Sequence, residues 1–203
     1  PMGFSAPGRL FREEDKPHPY RAYGKSKYEA EKMVLEAARG GRLQTVILRP
    51  CWYYGPGQPA RQTKFFRMIK KGRPFLIGGG KNLRSLSYVD SVVQAVVLAL
   101  EKEGLNGEIF WIADERPYSM NEIYETIAKQ LGVTRPGPLK LPAFFSWIFE
   151  QIDGLIQGLG FYQQEVHVAG EMARSIACSI EKAKTRLGYR PLTDLEQGMR
   201  NSV

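Results

Sequence analysis

Residues 20–50 read YRAYGKSKYEAEKMVLEAARGGRLQTVILRP. From about Tyr23 to Arg39 apolar and charged residues recur with a helical period, and Gly40-Gly41 supplies a stop. Residues 43–50 are compact, apolar and β-branched, which predicts a buried strand ending at Pro50. A helix feeding a buried strand is the repeating unit of an α/β fold, and the alternation continues downstream.

The opening 23 residues, rich in Pro, Gly and charge, read as loop. After Pro50, CWYYGPGQPARQ reads as loop, TKFFRMIKKG as a short helix, and PFLIGGGKN as a short strand with a glycine turn. RSLSYVD is another short strand, SVVQAVVLALEKEG an apolar helix closed by Gly104, and GEIFWIAD a buried strand. SMNEIYETIAKQLG predicts a helix with Ser119 as N-cap, Glu122 at the capping-box position and Gly132 as its stop. SIEKAKTRLGY gives a further short helix, and DLEQGMRNSV the start of a last one.

The chain has 203 residues, enough for one domain or an unequal pair of lobes, and its 43% hydrophobic and 25% charged residues are those of a globular protein. Its net charge of +8 comes from 29 basic against 21 acidic residues. The basic residues are scattered and accompany no nucleic-acid motif, so no nucleic-acid partner is expected. Cys51 and Cys178 lie far apart in sequence and without metal-ligand spacing. They suggest a reducing, cytoplasmic setting with neither a disulfide framework nor a zinc site. No charged-then-apolar leader opens these residues. The most apolar stretch, 141–160, is interrupted by Glu150, Gln151, Asp153 and Gln157. It predicts no membrane span, and a helix packed by its apolar face in preference to a membrane-surface role.

Two Tyr-x-x-x-Lys pairs, Tyr23/Lys27 and Tyr28/Lys32, lie in the first helix. Residues four apart share a helix face. A phenol ordinarily titrates near pH 10, and an ammonium one turn away favours the phenolate, as acid–base work at neutral pH requires. Spacing does not choose between the pairs. Tyr23 stands at the helix mouth, where a ligand can reach it. Tyr28, inside the helix and about 140° round from it, reads as packed or solvated. If one pair acts, it is the first.

Four motifs in order extend this reading. EEDKPHPYRAYGKSKYEAE, VILRPCWYYGPGQ, GGGKNLRSLSYVDSVVQAVVLALE and IEKAKTRLGYRP resemble those of the extended short-chain dehydrogenase/reductase family, the NAD(P)-dependent sugar-nucleotide epimerases and dehydratases and their sterol-dehydrogenase relatives. The resemblance implies the C-terminal part of a Rossmann-type doubly wound sheet with a smaller α/β substrate-binding lobe. Residues 1–60 would end the dinucleotide-binding domain, and 61–203 would form mainly the substrate lobe, with some segments returning to the cofactor domain.

The resemblance also implies roles. Tyr23 would be the acid/base, and Lys27 would hold the nicotinamide ribose of NAD or NADP. Pro50, Cys51 and Tyr53 would border the cofactor. Arg84 would meet a phosphate of a nucleotide-linked small-molecule substrate, for which a guanidinium fork is well shaped. The alternative for Arg84 is a surface arginine on a short strand. Trp52 stands where sugar-nucleotide members often carry asparagine, which leaves room for a sterol-like or other apolar alcohol; its indole would pack against a base or such a substrate, or fill core. The family's glycine-rich dinucleotide turn and its third catalytic residue, a Ser or Thr, are absent from these residues; GGGKN is not followed by a helix, and Ser5 is badly placed. The chain alone is therefore expected to be inactive. A homodimer through the tyrosine helix is implied as well, although Met33, Val34 and Ala37 could equally face the sheet. A non-catalytic nucleotide-binding module is the alternative from another class.

Overall fold

The computed structural model describes every residue except 1, 2, 7, 42, 73, 135 and 136, with the side chains of 60–62 also outside the description. In chain order the elements are α1 (Arg21–Arg39), β1 (Val46–Pro50), β2 (Trp52–Tyr54), α2 (Ala60–Lys70), β3 (Phe75–Ile77), β4 (Leu83–Arg84), β5 (Leu86–Tyr88), α3 (Val89–Glu101), β6 (Glu108–Ile112), β7 (Tyr118–Ser119), α4 (Met120–Gln130), β8 (Leu139–Leu141), α5 (Phe144–Gly158), α6 (Gln164–Glu171) and α7 (Leu195–Ser202). They form two compact units, one built from residues 1–55, 85–117 and 176–194, the other from 56–84, 118–175 and 195–203.

In the first unit β1 pairs with β6 in parallel, with Arg49 opposite Trp111 and Leu48 opposite Phe110. Strand residues alternate between faces, so Arg49 and Trp111 share one face and Leu48 and Phe110 the other. The Arg49 guanidinium lies over the Trp111 ring and grips Glu31 of α1, which puts α1 on that face. The opposite face meets α3, whose Ala95 is fully buried with Phe110, Ile112, Leu187 and Tyr189. The opening loop is built in. Phe11 bridges to Cys178, and the Glu13 carboxylate accepts from the Trp111 backbone N–H at 2.8 Å.

Residues 52–54, expected as loop, form a strand instead. Their aromatic side chains are strand formers, and β2 pairs in parallel with β5, Trp52 opposite Leu86 and Tyr54 opposite Tyr88. The chain then turns at Gly55, where φ is 145° and an added Cβ would come within 2.4 Å of Val89 Cγ1. Only glycine fits there.

In the second unit β3 pairs in parallel with β8, and β4 antiparallel with β7. Buried Phe66 and Ile69 come from α2, Ile123 and Ile127 from α4, and Met199 from α7; α4 meets both other helices. The capping box at the start of α4 is present in full. The Ser119 hydroxyl accepts from the Glu122 N–H at 3.1 Å, and the Glu122 carboxylate accepts from the Ser119 N–H at 2.7 Å.

Helix α5 departs from the expected packing. Its buried residues are Ser146, Glu150 and Asp153, while Phe144, Phe145, Trp147 and Leu155 are exposed. The face packed against protein is polar because α6 supplies hydrogen-bonding partners for it, and the apolar face points outward. Helix α1 also corrects an expectation. The residues turned inward include Gly24, Tyr28, Glu31, Leu35 and Ala38; Ala37 is half-buried, whereas Met33 and Val34 are exposed and do not face the sheet.

Ser119→Ala should lower stability by about 1 kcal/mol, since it removes the cap acceptor from α4. A urea titration with an unchanged midpoint would contradict the cap's contribution.

Candidate functional site

Parallel strands place their carboxyl ends at one edge, and α1 runs opposite to them. Its last turn lies near the start of β6, where a Cβ added at Gly107 would touch Ala38. Its first turn therefore lies toward the carboxyl end of β1. That is the end at which open α/β sheets receive ligands. Tyr23 and Lys27 occupy this end of the helix, and Pro50, Cys51, Trp52 and Tyr53 follow directly from β1.

The two Tyr/Lys pairs are now distinct. Lys27 Nζ lies 5.9 Å from the Tyr23 ring centre and Lys32 Nζ 5.2 Å from that of Tyr28, so both lysines cover their tyrosines. Tyr28, however, packs against the hydrophobic core, whereas Tyr23 is 54% exposed. Gly24 is buried and lets the first turn lie against the protein. Arg21, two residues before Tyr23, has φ of 57°, the one positive value at a non-glycine residue among the described residues. Such a conformation costs about 1–3 kcal/mol and is held by its surroundings.

The helix is fastened by the pair Glu31–Arg49. Arg49 Nε and Nη2 donate to the two carboxylate oxygens at 2.9 and 2.6 Å, and the side chains are 15% and 8% exposed. This two-point grip fixes the rotation of α1 about its axis, and with it the direction of the Tyr23/Lys27 face. Sequence reasoning passed over it. The signal was an arginine inside the apolar run VILRP, where burial demands a carboxylate partner.

Beyond Pro50, the Cys51 N–H donates to Ser87 Oγ at 2.9 Å, and Ser87 Oγ donates to the Ile112 carbonyl at 2.7 Å. Ser85, between β4 and β5, accepts from the Cys178 N–H at 3.0 Å. The serines thus hold two cysteines, separated by 127 positions, with their Sγ atoms 3.3 Å apart. Both thiols are free. Contact with Cys178, reinforced by burial, pushes the Cys51 thiol well above its ordinary range. Tyr54 Oη donates to Asp114 Oδ2 at 2.8 Å, a buried carboxylate that sequence reading also missed. Tyr53 is exposed and Trp52 half-buried.

Arg84 belongs to the second unit. It is half-buried on β4 and donates to the Glu171 carbonyl at 2.7 Å; burial draws its guanidinium below its ordinary range.

Residues 12–143 match the model of the 3-beta hydroxysteroid dehydrogenase/isomerase family. An uncharacterized protein of Sinorhizobium fredii, y4nL, is 42% identical across the whole chain. The solved UDP-glucose 4-epimerase of Thermotoga maritima, with UDP-glucose, superposes over 99% of the chain at 25% identity with a TM-score of 0.75. A UDP-glucuronic acid 4-epimerase from Bacillus cereus, solved with UDP-glucuronic acid and NAD, does so over 99% at 22% identity and 0.74. The chain spans 59%, 58% and 56% of these proteins respectively. The fold is thus the Rossmann-type α/β fold of the epimerases and dehydratases.

Two measurements probe this frame. Glu31→Ala leaves Arg49 buried without its carboxylate and should destabilise the first unit by about 3 kcal/mol; a loss below about 1 kcal/mol would mean that the pair does not fasten α1. Cys51 and Tyr189 both have folded-state values raised, the latter by burial and by nearby Asp114. They remain protonated where the unfolded chain ionises. Their contribution is complete below about pH 8.5 and falls as pH rises beyond it. Denaturant midpoints should decline between about pH 8 and 10, less steeply in Cys51→Ala; parallel slopes would contradict the thiol's share.

Proposed function

Because the chain belongs to the 3-beta hydroxysteroid dehydrogenase/isomerase family, we propose that it forms part of an NAD(P)-dependent oxidoreductase or epimerase acting at a hydroxyl-bearing carbon. The observation that carries this reading is the exposed Tyr23/Lys27 pair at the ligand-receiving end of a clamped helix, beside a second pair whose tyrosine is packed away. The donor set suits a nicotinamide ribose. An ammonium donates to ribose hydroxyls, and a phenol beside it donates or accepts. Lys27 would hold the ribose, and Pro50, Cys51 and Tyr53 would line the nicotinamide. Bound there, the cofactor supplies hydride exchange at C4 of its ring. Tyr23 takes the proton of the substrate hydroxyl in oxidation and returns it in reduction.

In this reading the first unit is the cofactor part and the second the substrate lobe. Arg84 meets a phosphate of a nucleotide-linked sugar, consistent with the UDP-sugars of the solved relatives. A sterol-like or other apolar alcohol is the second reading, favoured by Trp52 and by the family's own description. Exposed Met33 and Val34 on α1 offer an apolar contact for a homodimer. The protein works in the cytoplasm, and among the described residues no helix is long and apolar enough to cross a membrane.

Tyr23→Phe in the complete protein should lower turnover at least about a hundredfold while NAD(P)H binding, read by nicotinamide fluorescence, persists. Normal turnover by this variant would overturn the assignment and favour a non-catalytic nucleotide-binding module. The 203 residues alone contain no glycine-rich turn to cradle a pyrophosphate. Calorimetry on them should detect no micromolar NAD(P) binding; finding it would contradict the division of labour proposed here.

A further inference from the structure

The first unit brings together the chain's two cysteines, Cys51 and Cys178, across 127 positions. Each is carried on backbone that is fixed on more than one side. Cys51 directly follows β1, and its N–H donates to Ser87 Oγ at 2.9 Å and to the Ile112 carbonyl at 3.3 Å. The Cys178 N–H donates to Ser85 Oγ at 3.0 Å, and its two chain neighbours bond to Phe11 of the opening loop. There the Phe11 N–H donates to the Ala177 carbonyl and the Ser179 N–H to the Phe11 carbonyl, both at 2.8 Å. These anchors leave the sulfurs 3.3 Å apart as free thiols. A disulfide needs them to close by only about 1.3 Å. Any small apolar pair would serve packing alone. What sulfur adds is a bond that can form and break. The pair can also be reached: Cys51 is half-buried, and Cys178, although 5% exposed, lines a groove of about 470 Å³ with Gly8, Leu10, Arg116 and Pro117.

We propose that Cys51 and Cys178 form a reversible dithiol–disulfide pair, oxidised by a peroxide. In the first step one sulfur attacks a peroxide oxygen; the O–O bond breaks, the sulfur becomes a sulfenic acid, and its proton leaves with the other oxygen as water. The second sulfur then displaces the sulfenic hydroxyl, forming the S–S bond and releasing a second water with its own proton. The two thiols together lose two electrons, and hydrogen peroxide is reduced to two waters. In the resting state contact with Cys178, reinforced by burial, keeps Cys51 protonated, so the pair is an S–H···S contact and not two thiolates that repel. In a reducing compartment such a pair stays open until an oxidant arrives. Closing the bond draws Cys51, the residue after Pro50, toward the segment that carries Cys178. On the cofactor reading proposed above, on which this consequence rests, Cys51 borders the nicotinamide, so oxidation distorts that edge and weakens cofactor binding.

The test is peptide mapping by mass spectrometry of the complete protein, treated with submillimolar hydrogen peroxide and alkylated under denaturing conditions, with and without dithiothreitol. A cross-linked pair of peptides carrying Cys51 and Cys178 is expected, lost on reduction and absent from Cys178→Ala; mapping the parent needs no variant to fold. The proposal is overturned if peroxide leaves both thiols open to alkylation, or if either cysteine runs on to its sulfinic or sulfonic acid without a cross-link. It is equally overturned if the link joins two chains. NADH titrated by nicotinamide fluorescence should bind severalfold more weakly to the oxidised protein and recover on reduction. Equal affinity of the two forms would overturn the effect on the site. A reduced protein that binds no NADH would instead contradict the cofactor reading, and the cross-link alone would then decide the pair's redox role.

Discussion

The grip of Arg49 on Glu31 is the constraint from which the candidate site follows. A guanidinium buried in a parallel strand demands a carboxylate, and α1 supplies one in Glu31. Once that position is set, the helical period sets the others. Tyr28 and Leu35 turn toward the sheet, and Tyr23 and Lys27 project at the carboxyl edge of β1. The pair also stacks Arg49 on Trp111, whose backbone N–H is held by Glu13. One ion pair thus links the opening loop, both central strands and the helix that carries the proposed chemistry. The strand alternation that turns Arg49 and Trp111 toward α1 turns Leu48 and Phe110 toward α3.

Much of this was legible in the sequence where a local rule decided the outcome. The capping box at Ser119 and Glu122, the strands at 46–50 and 108–112, and the helices at 89–101 and 144–158 follow from period, caps and β-branched runs. Residues 52–54 were misread because a Gly-Pro-Gly turn follows them. The partner that makes them a strand, β5, is distant in the chain. The α6 helix was not foreseen at all, being eight residues long and interrupted by a glycine. At the site, the order of motifs singled out Tyr23 and Lys27. The contacts that position them were hidden, because Glu31–Arg49 and Cys51–Cys178 join residues 18 and 127 apart and depend on tertiary structure.

Helix α5 shows the opposite failure. Its period was read correctly, and its orientation was not. Hydrophobic periodicity identifies a face but says only that the face prefers to leave water, not what covers it. For α5 the neighbouring helix offers His167 and two carbonyls, and the turn after it Arg174, and these outcompete packing for the polar side. The two units therefore carry different chemistry. The first presents the exposed Tyr23/Lys27 pair proposed for acid–base chemistry, and the second an exposed apolar helix face.

A crystal structure of the complete protein with NAD(H) bound tests the central claim most directly. The account predicts Lys27 Nζ in hydrogen-bonding reach of the nicotinamide ribose, the Tyr23 phenol beside it, and the nicotinamide ring against Pro50 and Cys51. A cofactor bound away from α1, or one that approaches Tyr28 and Lys32 instead, would contradict it.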